Sequence, residues 1–167
     1  MLTTQGVVTI RGMKSEDIQQ VREILAEASV FSEGELAVAN ELIDEYLNNE
    51  HQHDYECYIA IDDGDIVGYA CLGLSPLTHG VYDLYWIVVK HEQQRHGIGN
   101  LLVEFVEQSV AARSGRLIVA ETSSTTPYDK ARRFYLKHGY GEQARIKDYY
   151  KDGDDLVIYG KYLFPKK

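Results

Sequence analysis

The segment from Leu84 to Leu102 constrains the fold of this chain most, because it joins an apolar run, a short polar loop and a helical pattern. The run LYWIVV is continuous and ends at Lys90, which predicts a buried strand. From Gly97 onward, apolar residues recur at helical spacing, at positions 98, 101, 102, 105, 106 and 110. The sequence therefore predicts a strand that leads through residues 90–96 into the N-terminus of a helix.

Glycines at the start of this helix indicate an anion site. Gly97 and Gly99 have no Cβ, so a ligand can approach the main chain closely and the turn can adopt angles that other residues avoid. The N–H groups of a first helical turn find no carbonyl inside the helix, and the helix dipole adds positive potential there. The segment is predicted to bind a pyrophosphate. A glycine-containing turn that binds nothing is the alternative.

Two common nucleotide motifs do not fit this segment. The dinucleotide pattern G-x-G-x-x-G needs a third glycine where Leu102 stands, and the Walker pattern G-x-x-x-x-G-K-[ST] does not occur in the chain. The run QRHGIG, from Gln94 to Gly99, is instead similar to the Q/R-x-x-G-x-G/A signature of the GNAT family of N-acetyltransferases. This resemblance implies that the loop binds the pyrophosphate of acetyl-CoA.

A second block further along the chain carries the same resemblance. Residues 116–122 have a strand pattern, and Tyr128 to His138 has a helical pattern that ends at Gly139. Tyr135 falls on the apolar stripe of that helix, where filling the core is its plainest role. The run ARRFYLKHGY, at 131–140, resembles the A-x-x-F-Y-x-K-x-G-[FY] block of the same family. The resemblance implies that Tyr135 is the general acid that protonates the departing CoA thiolate.

The resemblance also implies a co-substrate and the residues that hold it. Acetyl-CoA is the expected co-substrate, and no metal is expected. The thioester and pantetheine are assigned to the end of the strand, and the phosphates to the loop and the first helical turn. The cofactor-binding residues predicted in this way are Ile87, Val88, Val89, Gln94, Arg95, His96, Gly97, Ile98, Gly99 and Asn100.

Acetyl transfer to an amine needs a neutral amine, donors for the developing oxyanion and a proton for the leaving sulfur. A phenol with a pKa near ~10 suits the last role, since the conjugate acid of a thiolate has a pKa of about 8.5. For the base, Asp83 heads the apolar strand and Glu121 ends the next one. Open α/β sheets place ligands at the carboxyl ends of strands, so Glu121 is predicted as the catalytic base. A purely structural carboxylate stays an equal alternative.

The only cysteines, Cys57 and Cys71, lie in apolar segments on either side of Asp63-Gly64. Asp-Gly between apolar runs predicts a hairpin, which would bring the two thiols close to cross-strand register. A disulfide is conceivable, but the sparse cysteine content favours a reducing compartment and buried thiols. Neither cysteine has a sequence partner that would activate it. Direct attack of the amine in a ternary complex is therefore favoured over an acyl-cysteine intermediate.

Length and element order predict the fold class. The chain has 167 residues, of which 44% are hydrophobic, so a single domain over 1–167 is expected. The predicted order is β-α-α-β-β-β-α-β-α-β-β, with Ser15 capping the first helix and the second helix over 35–47. This order resembles the acyl-CoA N-acyltransferase fold, an α/β (α+β) architecture with a mixed central sheet of about seven strands and four helices.

Charge and hydropathy restrict the partners. The net charge of −9 disfavours nucleic acid and anionic membranes, and the chain has no apolar stretch of membrane-spanning length and no leader pattern. A cytoplasmic enzyme that acetylates a primary amine of a small molecule or peptide is expected, and a homodimer is left open. The resemblance to the GNAT family implies an acceptor side, which is predicted at Phe31, Asp83 and Tyr149. A catalytically silent acyl-CoA-binding sensor or interaction module is the alternative function.

Overall fold

The structure is a computed structural model that describes residues 7–49, 51, 54–94 and 96–164. In chain order, its strands and α-helices are β1 (Thr9–Gly12), α1 (Ile18–Glu27), α2 (Glu33–Asn48), β2 (Glu56–Asp62), β3 (Asp65–Leu74), β4 (Val81–Val89), α3 (Ile98–Ala112), β5 (Leu117–Ser123), α4 (Asp129–Lys137), β6 (Gly141–Lys151) and β7 (Asp154–Tyr162). The predicted order of strands and helices is confirmed.

The strands form a mixed seven-stranded sheet in the order β1-β2-β3-β4-β5-β7-β6. β4 and β5 run parallel, from the pair Val81 and Leu117 to the pair Asp83 and Val119. β1 with β2, β2 with β3, β5 with β7 and β6 with β7 are antiparallel. The predicted acyl-CoA N-acyltransferase architecture of seven strands and four helices is confirmed.

The chain divides into two compact units. Unit 1 comprises Met1–Leu72 and Trp86–Val106, and unit 2 comprises Gly73–Tyr85 and Glu107–Lys167. A single domain over the whole chain stays a prediction. In the described part of the chain, no helix combines the length and the apolar character that crossing a membrane requires.

The helices of unit 1 bury one stripe each. Val21, Ile24 and Leu25 on α1, and Ala39 and Ile43 on α2, are at most 3% exposed and belong to one hydrophobic cluster. Their spacing of three and four residues gives each helix an apolar face, which removes that face from water.

The start of α2 shows a signal that the sequence interpretation missed. The Glu35 N–H donates to the Ser32 hydroxyl at 3.2 Å, and the Ser32 N–H donates to the Glu35 carboxylate at 2.8 Å. This is the capping box S-x-x-E, which satisfies donors at the helix start. The helix therefore begins at Glu33, two residues before the predicted start.

The predicted cap of the first helix is wrong. Ser15 is the first residue of a short 3-10 turn, Ser15–Asp17, that precedes α1. Asp17 is buried, and its carboxylate accepts the Lys14 N–H at 2.7 Å and two Arg11 N–H groups at 2.7 and 2.9 Å. The Asp17 carboxylate holds the segment before α1 more strongly than a serine hydroxyl could, because charge-assisted hydrogen bonds are stronger than those between neutral groups.

The hairpin between β2 and β3 matches the prediction. Asp63 and Gly64 both have positive φ, 48° and 88°, as a type I′ turn requires. Cys57 and Cys71 are register partners, and both are buried free thiols. The Cys57 Sγ lies 3.4 Å from the Tyr69 hydroxyl.

In unit 2, the β6–β7 hairpin contains a wide bulge. The register passes from the pair Ile146 and Leu156 to the pair Lys151 and Asp154, so residues 147–150 lie opposite Asp155 alone. The Asp155 carboxylate accepts the N–H of Asp148, which has a φ of 53°. The two strands are therefore joined by a short turn at 152–153, and the extra residues lie in the bulge.

Candidate active site

The start of α3 in unit 1 has the geometry expected of an anion site. Gly97 has a φ of 82°, and the N–H of Leu101 donates to its carbonyl at 3.0 Å, so Gly97 immediately precedes the first helical turn. A Cβ added to Gly97 would meet no heavy atom within 4 Å. The first turn of α3 contains no acidic residue. Its N–H groups, including those of Ile98 and Gly99, therefore meet the requirements of a phosphate cradle.

Close packing fixes this helix end in place. Ile98 is 2% exposed, and a Cβ on Gly68 of β3 would lie 2.7 Å from Leu102 Cδ1 and 3.2 Å from Ile98 Cγ2. Only glycine at position 68 lets α3 approach β3 so closely. The side chain of Ile98 is thus part of the core, and only its main chain can serve the predicted ligand.

The loop before α3 is folded back on the end of β4. Residues His91–Gln93 form a 3-10 turn, and the Gln94 side chain donates to the carbonyl of Val89 at 3.2 Å. The N–H of Lys90 donates to Val67 of β3 at 2.8 Å. His96 is exposed. Gln94 therefore acts within the loop, as a brace between the strand end and the turn.

The other predicted cofactor-binding residues differ in how far their side chains are buried. Val88 is 6% exposed and lies in the core, while Ile87, Val89 and Asn100 are half-buried. Arg95 lies outside the described residues. A role of the Ile87–Val89 main chain toward a thioester stays a prediction.

The two carboxylates proposed from the sequence lie on neighbouring strands of unit 2. Asp83 of β4 pairs with Val119 of β5, two residues before Glu121, so both side chains emerge on the same face. The Ser75 hydroxyl donates to the Asp83 carboxylate. The pKa of the exposed Glu121 is raised, first by partial desolvation and second by the Asp83 charge. A carboxylate with a raised pKa is a better proton acceptor, which suits a base.

Tyr135 is buried among aromatic rings of unit 2. It is 6% exposed, and its ring centroid lies 5.6 Å from that of Tyr140, 5.7 Å from Tyr159 and 5.9 Å from Phe134. Burial raises the pKa of the Tyr135 hydroxyl to about 12. The predicted inward orientation is confirmed, and the phenol keeps its proton throughout the neutral range.

The loop between β5 and α4 is held by a dense set of hydrogen bonds. The Ser123 hydroxyl donates to the buried Asp154 at 2.5 Å and lies 2.7 Å from the Thr125 hydroxyl. The Arg132 guanidinium donates to the carbonyls of Ser123 and Thr125 at 2.5 and 2.9 Å and pairs with Asp129. α4 begins at Asp129, after a 3-10 turn, and not at Tyr128 as predicted.

The predicted acceptor residues are found in both units. In unit 1, Phe31 packs edge-on against Trp86, with ring centroids 5.1 Å apart. In unit 2, Tyr149 is 57% exposed on the β6 bulge and packs against Tyr150 at 5.1 Å. Asp83 lies beside a predicted catalytic residue, Glu121.

Some residues that shape this site were missed in the sequence. Ser75 binds Asp83, and Asp154 binds Ser123, and neither belongs to a motif used above. Arg132 binds the β5–α4 loop and occupies a variable position of the 131–140 block, so the block did not single it out. Among the described residues, no group of three or more His, Cys, Asp or Glu side chains could hold a metal ion. The expectation that no metal takes part stays a prediction.

Comparison with known proteins identifies the family. The family model described as an acetyltransferase (GNAT) domain matches residues 53–142. The chain therefore belongs to the GNAT family of acetyltransferases. An uncharacterized N-acetyltransferase of Methanocaldococcus jannaschii is 30% identical over 104 residues, which is 60% of this chain and 62% of that protein. The match thus spans less than two thirds of the relative's length.

Solved structures agree with this assignment. A GNAT-family protein from Desulfovibrio desulfuricans superposes with a TM-score of 0.88 at 38% identity, over 95% of this chain and 100% of the other. The PaiA N-acetyltransferase from Thermoplasma acidophilum, solved in complex with coenzyme A, has a TM-score of 0.69 at 20% identity, over 93% of this chain and 98% of the other. At that lower identity the likeness concerns the fold.

Proposed function

We propose that this protein transfers the acetyl group of acetyl-CoA to a primary amine of a small molecule or peptide. The observation that supports this most directly is the start of α3, where Gly97 has a φ of 82° and open space beside it. Membership of the acetyltransferase family supports acetyl-CoA as the ligand of that helix end, and a related fold has been solved with coenzyme A. The residues proposed to bind the pyrophosphate are Gln94 to Asn100.

The proposed chemistry is direct attack by the amine. Acetyl-CoA supplies the acetyl group as a thioester. An acceptor that arrives as an ammonium ion first loses one proton to water, which gives the neutral amine. Glu121 accepts the second proton as the nitrogen forms its bond to the acetyl carbon. Tyr135 donates its proton to the sulfur as the carbon–sulfur bond breaks, and the products are an amide and CoA thiol. The buried Tyr135, with a pKa of about 12, is protonated at neutral pH. After each transfer its phenolate regains a proton from solvent and Glu121 releases one, which restores both groups.

The cysteines are not needed for this route. Cys57 is 1% exposed and Cys71 is 0% exposed, both within the core of unit 1. A covalent acyl-cysteine needs a thiol that the thioester can reach. Their burial therefore favours transfer without an acyl-enzyme.

The acceptor is proposed only as a class. The carboxylates of Asp83 and Glu121 on one face of unit 2 favour an amine that arrives as an ammonium ion. We assign Asp83 to attraction of the acceptor, with Phe31 and Tyr149 as further contacts. Neither aromatic residue selects between a small molecule and a peptide.

Two measurements test the proposal in order. Thermal unfolding with saturating acetyl-CoA should raise the melting temperature, because a ligand at 100 times its Kd stabilises the folded state by about 2.7 kcal/mol. Release of CoA thiol is then followed with polyamines, amino acids, aminoglycosides and peptides with free N-termini. A melting shift without release on any amine would indicate the silent acyl-CoA-binding module. The absence of any shift would exclude both functions.

A further inference from the structure

Arg132 of α4 joins three parts of unit 2 through one guanidinium group. Its Nη1 donates to the carbonyl of Ser123 at 2.5 Å and to that of Thr125 at 2.9 Å, and its Nη2 pairs with the Asp129 carboxylate. The Arg132 side chain is only 15% exposed. Hydrogen bonds from a charged donor in such surroundings are the strong kind, so the loop and the helix are firmly tied.

The end of β5, which accepts a hydrogen bond from Arg132, is itself hydrogen-bonded to β7. Ser123 pairs with Leu156 in the β5–β7 ladder, and its hydroxyl donates to the buried Asp154 at 2.5 Å. Ser124 and Asp155 add two further bonds, at 3.0 and 2.8 Å. The end of β5 is thus a fixed point, and Arg132 attaches α4 to it.

The residues of the proposed reaction lie on either side of this attachment. Glu121 precedes Ser123 by two residues on β5, and Tyr135 follows Arg132 by three residues on α4. Residues three apart on a helix are neighbours on its surface, so movement of Arg132 moves Tyr135 with it. The bond from Arg132 to Ser123 is a short mechanical link between the strand of the base and the helix of the acid.

We infer that Arg132 is a positioning residue that holds the Tyr135 helix against the Glu121 strand, and this rests on the proposed function. Arginine suits the role because its planar guanidinium presents several donors in a fixed fork, and it serves three oxygens here. A lysine ammonium is a compact charge that cannot reproduce this fork. Misplacement of a catalytic group by about 1 Å costs about 10²-fold in rate.

The test uses Arg132→Met and Arg132→Lys in the full chain, with acetyl-CoA and the fastest amine of the panel above. We expect Arg132→Met to lower kcat by about 10- to 100-fold with little change in the KM for acetyl-CoA. Arg132→Lys should recover part of the loss. The alkaline limb of the kcat–pH profile should move to lower pH in Arg132→Met, because Tyr135 on the loosened helix regains hydration and its pKa falls from about 12.

Arg116→Met is the matched control. Arg116 also lies in unit 2, and its Nε donates to the carbonyl of His79 at 2.8 Å, so this variant removes the same kind of bond elsewhere. Loss of folded protein alone would scale kcat without changing the shape of the pH profile. Hydrogen exchange of the α4 amides gives a second readout. It should accelerate at least tenfold in Arg132→Met and stay unchanged in Arg116→Met.

Each outcome decides between the alternatives. If Arg132→Met kept the kcat and pH profile of the Arg116→Met control, Arg132 would be a structural anchor only, and the inference would be wrong. If Arg132→Met did not fold, Arg132→Lys and Asp129→Asn would decide by the same readouts, since the latter removes the carboxylate that orients the guanidinium. A wild-type protein that releases no CoA from any amine would instead refute the proposed function, and the inference with it.

Discussion

The N–H of Tyr140 donates a hydrogen bond of 3.0 Å to the carbonyl of Tyr135, and the centroids of their rings lie 5.6 Å apart. The bond closes the end of α4, where Gly139 has a φ of 82° that allows the chain to turn back. The helix end and the ring packing together hold the phenol of Tyr135 in one place. Its raised pKa, about 12, follows from this burial.

Tyr135→Phe should lower kcat by about 10²-fold or more, because it removes the proposed proton donor and little else. The ring packing against Tyr140 and Tyr159 survives the change, so the melting temperature and the acetyl-CoA Kd should stay close to those of the wild type. CoA release and calorimetric titration measure the two quantities. Tyr159→Phe is the control, since that hydroxyl has no assigned proton transfer. Equal rates for wild type and Tyr135→Phe would remove Tyr135 from the mechanism.

Gly97→Ala should weaken acetyl-CoA binding more than it weakens the fold. Gly97 and Gly153 have φ values of 82° and 78°, and a Cβ at either position would meet no heavy atom within 4 Å. Both alanine variants should therefore lose about 1–2 kcal/mol of stability from left-handed strain alone. Only Gly97→Ala places a methyl group where the pyrophosphate is proposed to approach.

Calorimetric titration with acetyl-CoA separates the two effects. A Kd that rises at least tenfold in Gly97→Ala and stays at the wild-type value in Gly153→Ala would support the cradle. Equal Kd values in the two variants would mean that the ligand does not approach the main chain at position 97.

The sequence predicted the fold well where the signal is local. The strand at β4, the helical spacing after Gly97 and the Asp63-Gly64 turn each depend on neighbouring residues, and each was confirmed. The predicted burial of the whole β4 run was wrong, because only Leu84 and Val88 of its six residues are buried and Tyr85 is 39% exposed. The errors at helix starts have local causes too. At the first helix, the buried Asp17 takes the place of the predicted cap Ser15. At the second helix, the capping box of Ser32 and Glu35 is visible in the sequence but did not enter the prediction.

The candidate site was less predictable because its supports are distant in sequence. Ser123 and Asp154 are 31 positions apart, and Arg132 bonds to the Ser123 carbonyl across nine positions. No periodicity or motif pairs such residues, since their contact depends on how β5, β7 and α4 are packed. The motifs predict which residues take part in the reaction. They do not predict which residues keep those side chains in position.

Asp17→Asn should destabilise the protein at neutral pH and much less in acid. Arg11 bonding lowers the pKa of Asp17, so the carboxylate contributes stability above its unfolded pKa of about 3.9. That contribution is lost as the pH falls through the lower, folded pKa. The loss at pH 7 should be about 1–2 kcal/mol, reduced by solvent screening because the Arg11 side chain is 35% exposed.

Asp44→Asn is the control for this change. Asp44 pairs with Arg22 at the same distance, 2.7 Å, but the two side chains are 54% and 41% exposed. An exposed pair contributes about 0–1 kcal/mol. Urea unfolding of both variants between pH 2 and pH 7 gives the comparison. A difference between wild type and Asp17→Asn that persisted undiminished at pH 2 would contradict the role of the carboxylate charge.

Asp83→Asn should move the acid limb of the kcat–pH profile to lower pH. The proposed base Glu121 must be deprotonated to accept a proton, so the rate falls as the pH drops through its pKa. The Asp83 charge is the second cause that raises this pKa, and an asparagine removes it while partial desolvation remains. The limb should therefore shift down, yet stay above the pH expected for an ordinary glutamate.

Ser75→Ala is the control for that experiment, because it removes the hydrogen bond to Asp83 and keeps both carboxylates. Its limb should stay at or above the wild-type position, since the two negative charges still face each other. A limb that did not move in Asp83→Asn, together with a higher KM for the amine, would assign Asp83 to acceptor binding alone. Glu121→Gln would then show whether the limb belongs to Glu121, since it should abolish the limb and most of the rate.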